Sequence, residues 1–210
     1  MWGESLNTGE SVTRSSRWIA ALAIVVAVAA ARTAWLVGKE RNYAFRGVTT
    51  EAPVAAEFEL TAQSGAHVRL SDFRGKLVLL YFGYTHCPGI CPITLAEVDQ
   101  ALKTLDLQRA SHVQVMMVSV DPERDSPERL RGYLPHFNPT FLGLTGTPKE
   151  IAAVAARYGI YYKKGDPEPG GGYFVDHTSV VMVIDSAGRV RLLFPFGTTA
   201  KDMASDLAHL

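Results

Sequence analysis

The chain has 210 residues, of which 47% are hydrophobic, and its 21 basic and 21 acidic residues leave no net formal charge. This balance excludes an overall electrostatic attraction to nucleic acid or another polyanion. A chain of this length buries a full core without covalent staples, so its two cysteines are not needed for stability. The composition is that of an ordinary globular protein.

The N-terminal segment differs in composition from the rest of the chain. Residues 18–31 (WIAALAIVVAVAAA) contain no charge. That length suits the apolar core of a cleaved signal peptide, with Ala29, Ala30 and Ala31 small enough for the cleavage site. Continued through Arg32 to Gly38, the segment reaches the ~20 residues that a membrane helix needs. A buried core helix is the third alternative.

We predict the membrane anchor, over residues 18–38, with residues 1–17 as a cytoplasmic segment. Residues 39–52 are polar and aperiodic and are expected to form a linker, followed by a folded domain over residues 53–210. Basic residues flank the apolar run on both sides, so charge alone does not set the orientation. Both the anchor and the signal peptide would export the C-terminal part. With the anchor, the prediction is a single-pass protein of a bacterial inner membrane with its domain in the periplasm.

The rest of the chain alternates between strand and helix patterns. Residues 58–73 alternate in polarity about a Ser-Gly turn, which predicts a hairpin. Three continuous apolar runs, at 77–84, 113–120 and 179–185, predict strands buried on both faces. A further strand at 190–194 is expected to pair with the strand before it.

Helices are predicted between and after these strands. Apolar residues recur at helical spacing after Cys91, and the N-cap residues Ser126 and Thr147 precede prolines. The predicted helices extend from Cys91 to about Leu105, from Ser126 to Phe137, from Thr147 to Tyr158 and from Thr199 to Leu210. The alternation predicts an α/β fold with helices on the faces of one sheet.

Both cysteines lie in the stretch YTHCPGICP, residues 84–92. Cys87 follows a predicted buried strand and Cys91 lies near the start of a predicted helix, where thiolates are favoured and thiol pKa values are lowered. In a helical segment the two side chains would lie one turn apart on one face. Their sulfurs could then converge on a metal ion or join as a disulfide.

A metal held by two thiolates generally takes a further ligand, and the chain has six histidines. His177 is the strongest candidate, because it precedes the strand at 179–185, which neighbours the strand that ends at the cysteines. His86 adjoins the motif but is expected to point away from Cys87. No fourth Cys or His completes a structural zinc site, whereas two thiolates and an imidazole suit copper.

Three motifs, GKLVLLYFGYTHCPGICP, SVDPERDSP and VDHTSVVMVID, together resemble the Sco family (also called SenC), the membrane-anchored copper chaperones of cytochrome oxidase assembly. The resemblance covers nearly all of residues 48–210 and implies a thioredoxin-like fold, here with an N-terminal β-hairpin extension. It implies that Cys87, Cys91 and His177 bind one copper ion, as Cu(I) or Cu(II).

Three further positions follow from the resemblance. Asp121 and Asp125 lie in the acidic loop motif of the family, and we expect them to serve as turn and cap residues. Gly89 stands where the family commonly has an acidic residue. Its presence removes a charge beside the cysteines and is expected to alter Cu(II) affinity or the reduction potential.

The favoured hypothesis is a metallochaperone and not an enzyme. It would pass copper to the binuclear copper site of a cytochrome c oxidase subunit, and its other partners would be periplasmic copper donors or thiol reductants. The alternative is a periplasmic thiol–disulfide oxidoreductase, in which Cys87 attacks and Cys91 resolves, although the usual redox motif has two residues between the cysteines. A peroxidase of the peroxiredoxin type is disfavoured, because neither cysteine of this chain is preceded by the PxxxTxxC pattern of those enzymes. A structural disulfide leaves the position of His177 unexplained.

Overall fold

The computed structural model describes the backbone of residues 10–41, 43–168 and 171–210, and within the N-terminal helix the side chains of residues 18–33. The chain divides into two compact units, residues 1–44 and residues 45–210. The predicted boundary between linker and domain, at residue 53, therefore falls within the second unit. The predicted cytoplasmic segment, residues 1–17, lies mainly outside the described residues.

The first unit contains one helix, α1, Glu10–Arg41. All of the side chains from residue 18 to residue 33 are exposed, so the apolar run is not packed into a core. Within the part of the chain that was described, no helix is both long enough and apolar enough to span a membrane.

The second unit is built on an eight-stranded sheet with the order β1-β10-β9-β4-β5-β6-β2-β3. Strands β4, β5 and β6 are parallel to one another. Strand β9 runs antiparallel to β4, and β10 runs antiparallel to β9 and so in the same direction as β4. The continuous apolar runs form the three central strands because both of their faces are covered. The strands of this sheet are β1 Val48–Thr49, β2 Glu59–Ala62, β3 His67–Arg69, β4 Leu77–Gly83, β5 Val113–Ser119, β6 Leu142–Thr145, β9 Val180–Ile184 and β10 Val190–Pro195.

The predicted hairpin is confirmed as β2 and β3, which pair antiparallel. Its place in the sheet was not predicted. Strand β2 also pairs with the short strand β6, so the hairpin extends the sheet at one edge. The pairing of the strand at 190–194 with the strand before it is also confirmed, as β10 with β9.

Helices pack beside the sheet at the predicted places. Ser126 and Thr147 each accept a backbone hydrogen bond as N-caps, as their sequence contexts predict. Thr199 caps the last helix in the same way, which was not predicted. The helix after Ser126 ends at Tyr133 and continues as a 3₁₀ turn, Leu134–His136, because Pro135 has no N–H to continue the α-helix. The helices of this unit are α2 Ile90–Thr104, α3 Leu107–Ser111, α4 Pro127–Tyr133, α5 Pro148–Arg157 and α6 Ala200–Leu207.

A second, two-stranded sheet was not predicted. It consists of β7, Tyr162–Lys164, and β8, Val175–His177, which pair antiparallel. The Gly-rich segment 166–172 connects these two strands, and its residues 169 and 170 lie outside the described part. His177 is therefore the last residue of a short strand of its own, followed after two residues by β9.

Candidate metal centre

The two cysteines lie where the central strand β4 turns into α2, as the sequence predicts. Cys87 is half-buried in the turn, and Cys91 is fully buried in the first turn of the helix. The backbone N–H of Cys91 donates to Cys87 Sγ at 3.4 Å. That N–H belongs to the helix N-terminus, where backbone donors have no partner within the helix. The turn thus stabilises negative charge on Cys87.

His177 approaches the cysteines from β8. Its Nε2 lies 3.4 Å from Cys91 Sγ, and its Nδ1 lies 3.1 Å from the carbonyl oxygen of Thr178. A carbonyl only accepts, so Nδ1 carries the proton in this contact, and Nε2 is then the nitrogen that can face a metal. The expectation that the leading end of β9 faces the cysteine turn agrees with this geometry, although His177 itself lies on β8, a strand that was not predicted.

Cys87, Cys91 and His177 each offer one ligand atom, and these atoms all lie within 4.8 Å of one another. Among the described residues they form the only cluster of three or more His, Cys, Asp or Glu side chains with such geometry. On its open side, a cavity of about 370 Å³ is lined by both Cys87 and His177. A metal ion held here would be reachable from solvent.

The electrostatics of the two cysteines are unequal. The hydrogen bond from Cys91 lowers the pKa of Cys87 far below its ordinary value, with further help from His177 and the backbone N–H groups. The same hydrogen bond raises the pKa of Cys91, and its burial raises that pKa further. The reduced pair therefore carries a half-buried thiolate at Cys87 and a buried thiol at Cys91.

Aromatic side chains surround the histidine. The ring centroids of Tyr81 and Tyr84 lie 6.2 and 5.9 Å from that of His177, both in edge-on geometry. The hydroxyl of Tyr84 also accepts a hydrogen bond from the backbone N–H of Val175, at 3.2 Å. These contacts hold β8 and its histidine against the cysteine turn. Sequence reasoning missed both tyrosines, since they lie within a buried apolar run.

Gly83, the last residue of β4, leaves room for the site. A Cβ at this position would lie 2.7 Å from the Tyr81 ring and 3.1 Å from Cys91 Sγ. Any larger residue would therefore push against the sulfur and the ring together. Gly83 was also missed in the sequence, where it gives no signal apart from interrupting the apolar run.

Asp125 anchors the cysteine turn from behind. It is fully buried, and it accepts hydrogen bonds from Thr85 N at 3.0 Å, Thr85 Oγ1 at 2.6 Å and Ser119 Oγ at 2.6 Å. His86 Nδ1 lies 3.7 Å from the same carboxylate, in keeping with the expectation that His86 turns away from Cys87. Asp125 thus has a structural role, as expected, but its side chain holds the cysteine turn, and the cap of α4 is Ser126.

Asp121 begins the turn that leads to Asp125. Its carbonyl accepts hydrogen bonds from the backbone N–H groups of Arg124 and Asp125, which is the predicted turn role. Its side chain accepts from Arg124 Nε and from the hydroxyl of Tyr173, the latter at 2.7 Å. The contact with Tyr173 connects this turn to the segment before β8 and was not predicted.

Gly89 and the remaining histidines lie outside the three-residue cluster. Gly89 is the N-cap of α2, and a Cβ built there would meet no atom within 4 Å. A side chain at this position would therefore project into open space beside the cysteines. The other histidines are exposed and take no part in the cluster: His67, His86, His112, His136 and His209.

Fold and site together define a mixed α/β, thioredoxin-like domain with a Cys-Cys-His group at the end of its central strand. The SCO1/SenC family model matches residues 46–210. The chain belongs to the SCO1/SenC family, which confirms the resemblance seen in the three sequence motifs.

Individual relatives agree with this assignment. The human protein SCO1 homolog, mitochondrial, is 34% identical over 152 residues, which cover 72% of this chain and 50% of that protein. A SCO2-like protein of Rickettsia conorii is 33% identical over 159 residues, which cover 74% of this chain and 76% of that protein. The match thus spans about half the length of the human relative.

Among solved structures, ScoI of Bradyrhizobium japonicum with copper bound superposes with a TM-score of 0.68 and 38% identity. The match covers 74% of this chain and 98% of that one. The apo Sco1 protein of Thermus thermophilus gives a TM-score of 0.72 and 38% identity over 80% of this chain and 97% of that one. The shared fold includes the whole of both solved domains apart from a few residues.

Proposed function

We propose that this protein is a copper metallochaperone that holds one copper ion through Cys87, Cys91 and His177. The observation that carries the proposal is the convergence of these three ligand atoms within 4.8 Å. Thiolate and imidazole ligands suit Cu(I) and also Cu(II). A structural zinc site uses four protein ligands, and no fourth Cys or His joins the cluster among the described residues.

The proposed recipient is the binuclear copper site of a cytochrome c oxidase subunit. The open side of the centre, lined by Cys87 and His177, supports transfer by ligand exchange. In this mechanism a ligand of the recipient enters from the open side as His177 leaves, and the recipient then replaces the two cysteine sulfurs. The half-buried Cys87 remains accessible to the recipient after His177 has left, whereas Cys91 is buried and is replaced last.

The experiment that tests delivery is a transfer assay between purified proteins. The reduced full chain is loaded with one equivalent of Cu(I) and mixed with the metal-free, reduced copper domain of an oxidase subunit. We expect copper to move to that domain, which is followed by its absorption spectrum and by metal analysis of the separated proteins. A loaded protein that keeps its copper, while free Cu(I) enters the same domain normally, would refute delivery.

We further propose that residues 18–38 anchor the protein in a bacterial inner membrane, with residues 1–17 in the cytoplasm and residues 39–210 in the periplasm. The exposed apolar side chains of α1 support this arrangement. The expressed protein should remain with the membrane fraction after a salt wash and leave it only in detergent. A shortened chain released without detergent would indicate signal cleavage instead.

A second candidate function is thiol–disulfide reduction, which the unequal cysteines favour. The Cys87 thiolate would attack a disulfide of the oxidase subunit, forming a mixed disulfide and releasing one partner thiolate. Cys91 would then pass its proton to the released thiolate and attack Cys87 Sγ, which releases the second partner thiolate and leaves a Cys87–Cys91 disulfide. Two electrons pass to the partner, and a periplasmic dithiol restores the pair. Thiol counts on the partner before and after mixing test this function.

A further inference from the structure

The strand that carries His177 is outside the main sheet. In the described part of the chain β8 pairs with β7 alone, with Tyr162 opposite His177 and Lys164 opposite Val175. The chain continues from His177 into β9 after two residues, which fixes one end of β8. The other end is not tied to the eight-stranded sheet by any ladder of backbone hydrogen bonds, so side-chain contacts must set its position.

Tyr84 contacts the start and the end of β8, at Val175 and His177. Tyr173, just before β8, makes a separate set of contacts with the turn 121–125 and with β7. The Arg124 guanidinium carbon lies 3.6 Å, and Lys164 Nζ 4.0 Å, from its ring centroid, so two cations lie over the ring. Its hydroxyl donates to Asp121 Oδ1 at 2.7 Å. Burial and this hydrogen bond raise the pKa of Tyr173, so the hydroxyl remains a donor at neutral pH.

Both strands of the small sheet are tied in this way to the turn 121–125. Lys164 belongs to β7, and its Nζ donates to Glu123 Oε2 at 2.7 Å. The same turn ends at Asp125, which holds Thr85 two residues before Cys87. A continuous path of contacts therefore leads from the segment before the histidine, through Tyr173 and the turn, to the segment before the first cysteine.

We propose that Tyr173 is a positioning residue for His177: by fastening the two-stranded sheet to the turn 121–125, it sets the distance between the imidazole and the two cysteine sulfurs. The inference rests on the proposed copper site and adds a residue that touches neither the metal nor its ligands. Without the contacts of Tyr173, the cysteines keep their geometry while His177 samples positions farther from them.

The test compares the unmodified full chain with four variants of it, all in reduced form, and uses Cu(II) as the probe. Tyr173→Leu removes both the ring and the hydroxyl, and Tyr173→Phe removes the hydroxyl alone. Tyr161→Leu is the matched control, because Tyr161 adjoins β7, is 60% exposed and has no side-chain hydrogen bond or ring contact in the described structure. Affinity, the sulfur-to-copper absorption band and the EPR spectrum are measured for each protein and compared with those of His177→Ala.

We expect Tyr173→Leu to weaken Cu(II) binding by about tenfold, as is usual when a group that orients a ligand is lost. Its absorption band and EPR spectrum should shift toward those of His177→Ala. Tyr173→Phe should shift less in the same direction, and Tyr161→Leu should match the unmodified protein. In the metal-free proteins, amide hydrogen exchange over residues 173–179 should be faster in Tyr173→Leu than in the control.

Two results would overturn the inference and leave the copper site intact: a Tyr173→Leu protein with unchanged affinity and spectra, or faster amide exchange with an unchanged copper spectrum. If Tyr173→Leu does not fold, Tyr173→Phe decides in its place, and identity with the unmodified protein overturns the inference. A different result, in which His177→Ala and the unmodified protein have the same copper spectrum, would overturn the copper site itself and the inference with it.

Discussion

The two sides of the metal centre are attached to the fold by different means. The cysteine turn leaves the central strand β4, enters α2, and is held from behind by the fully buried carboxylate of Asp125. The histidine lies on β8, part of a two-stranded sheet that is held by the contacts of Tyr84 with Val175 and His177 and by the partly exposed contacts of Tyr173. One side is thus part of the main sheet and its first helix, and the other is attached to them through side-chain contacts.

This difference suits the proposed transfer of copper by ligand exchange. Elements with few buried contacts open at a lower free energy than core strands do. In the proposed transfer the imidazole would therefore leave while both sulfurs stay in place, which would give ligand exchange a defined order. The predictions below test each side of the comparison separately, beginning with the side that is expected to matter most.

Removal of a sulfur should have the largest effect. Cys87→Ser or Cys91→Ser is expected to abolish tight, stoichiometric Cu(I) binding, because a hydroxyl oxygen is a poor ligand for a soft ion. The measurement is a competition titration of the reduced full chain against a Cu(I) chelator. His112→Ala, an exposed histidine outside the cluster, is the control. Either serine variant that still bound one Cu(I) tightly would contradict the two-sulfur site.

Loss of the Asp125 carboxylate should destabilise the cysteine side of the metal centre. Asp125→Ala leaves the buried Thr85 N–H and two hydroxyls without their acceptor, which should lower the free energy of unfolding by about 3 kcal/mol. Urea denaturation of the metal-free protein measures this loss. Asp106→Ala, which removes an exposed N-cap from α3, should cost only about 1 kcal/mol. Equal losses in the two variants would refute the anchoring role of Asp125.

The lowered pKa of Cys87 predicts an unusual pH dependence of alkylation. An ordinary thiol, with a pKa of about 8.5, reacts roughly tenfold more slowly for each pH unit below that value, because only the thiolate is nucleophilic. Since the pKa of Cys87 is lowered, its thiolate persists as the pH falls, and the rate should change little between about pH 8 and pH 6. Mass spectrometry follows the modified residue. A tenfold fall per unit would contradict the electrostatics described.

Gly89→Asp should have the smallest effect. A side chain at Gly89 meets no atom within 4 Å, so the carboxylate projects beside the cysteines, and Cu(II) affinity is expected to rise by less than tenfold. Stability should change by less than ~0.5 kcal/mol. An aspartate at this N-cap position gains few hydrogen bonds, because the N–H of Cys91 already donates to Cys87 Sγ and Pro92 has no N–H to donate. Gly89→Asn, which adds no charge, is the control; equal Cu(II) affinity in the two variants would refute the charge effect.

Much of the main sheet could be predicted because its strands follow simple patterns. The runs at 77–84, 113–120 and 179–185 are buried on both faces and so remain continuously apolar, and the N-caps of the later helices have distinctive residues. The two-residue strand β1 and the short strands β6, β7 and β8 were missed. Their pairing depends on where the chain returns to the sheet or meets a neighbour, which no local pattern records.

The three candidate ligands were named from the motifs and their resemblance to a family, and the structure brings them together. The residues that support them could not be found in this way. Tyr173 and Arg124 lie 49 positions apart in the sequence and meet through side chains on loops, where periodicity carries no information. Gly83 and Tyr81 lie inside a strand whose apolar pattern conceals their contacts with Cys91 and His177.

The central claim is that the histidine completes a site already formed by two sulfurs, and a copper titration of the full chain beside His177→Ala tests it most directly. We predict one copper per chain in both proteins. In the variant we predict a weaker affinity, an altered sulfur-to-copper band and the loss of one nitrogen from the EPR spectrum, with the thermal unfolding midpoint of the metal-free protein unchanged. Identical affinity and spectra in the two proteins would contradict the claim.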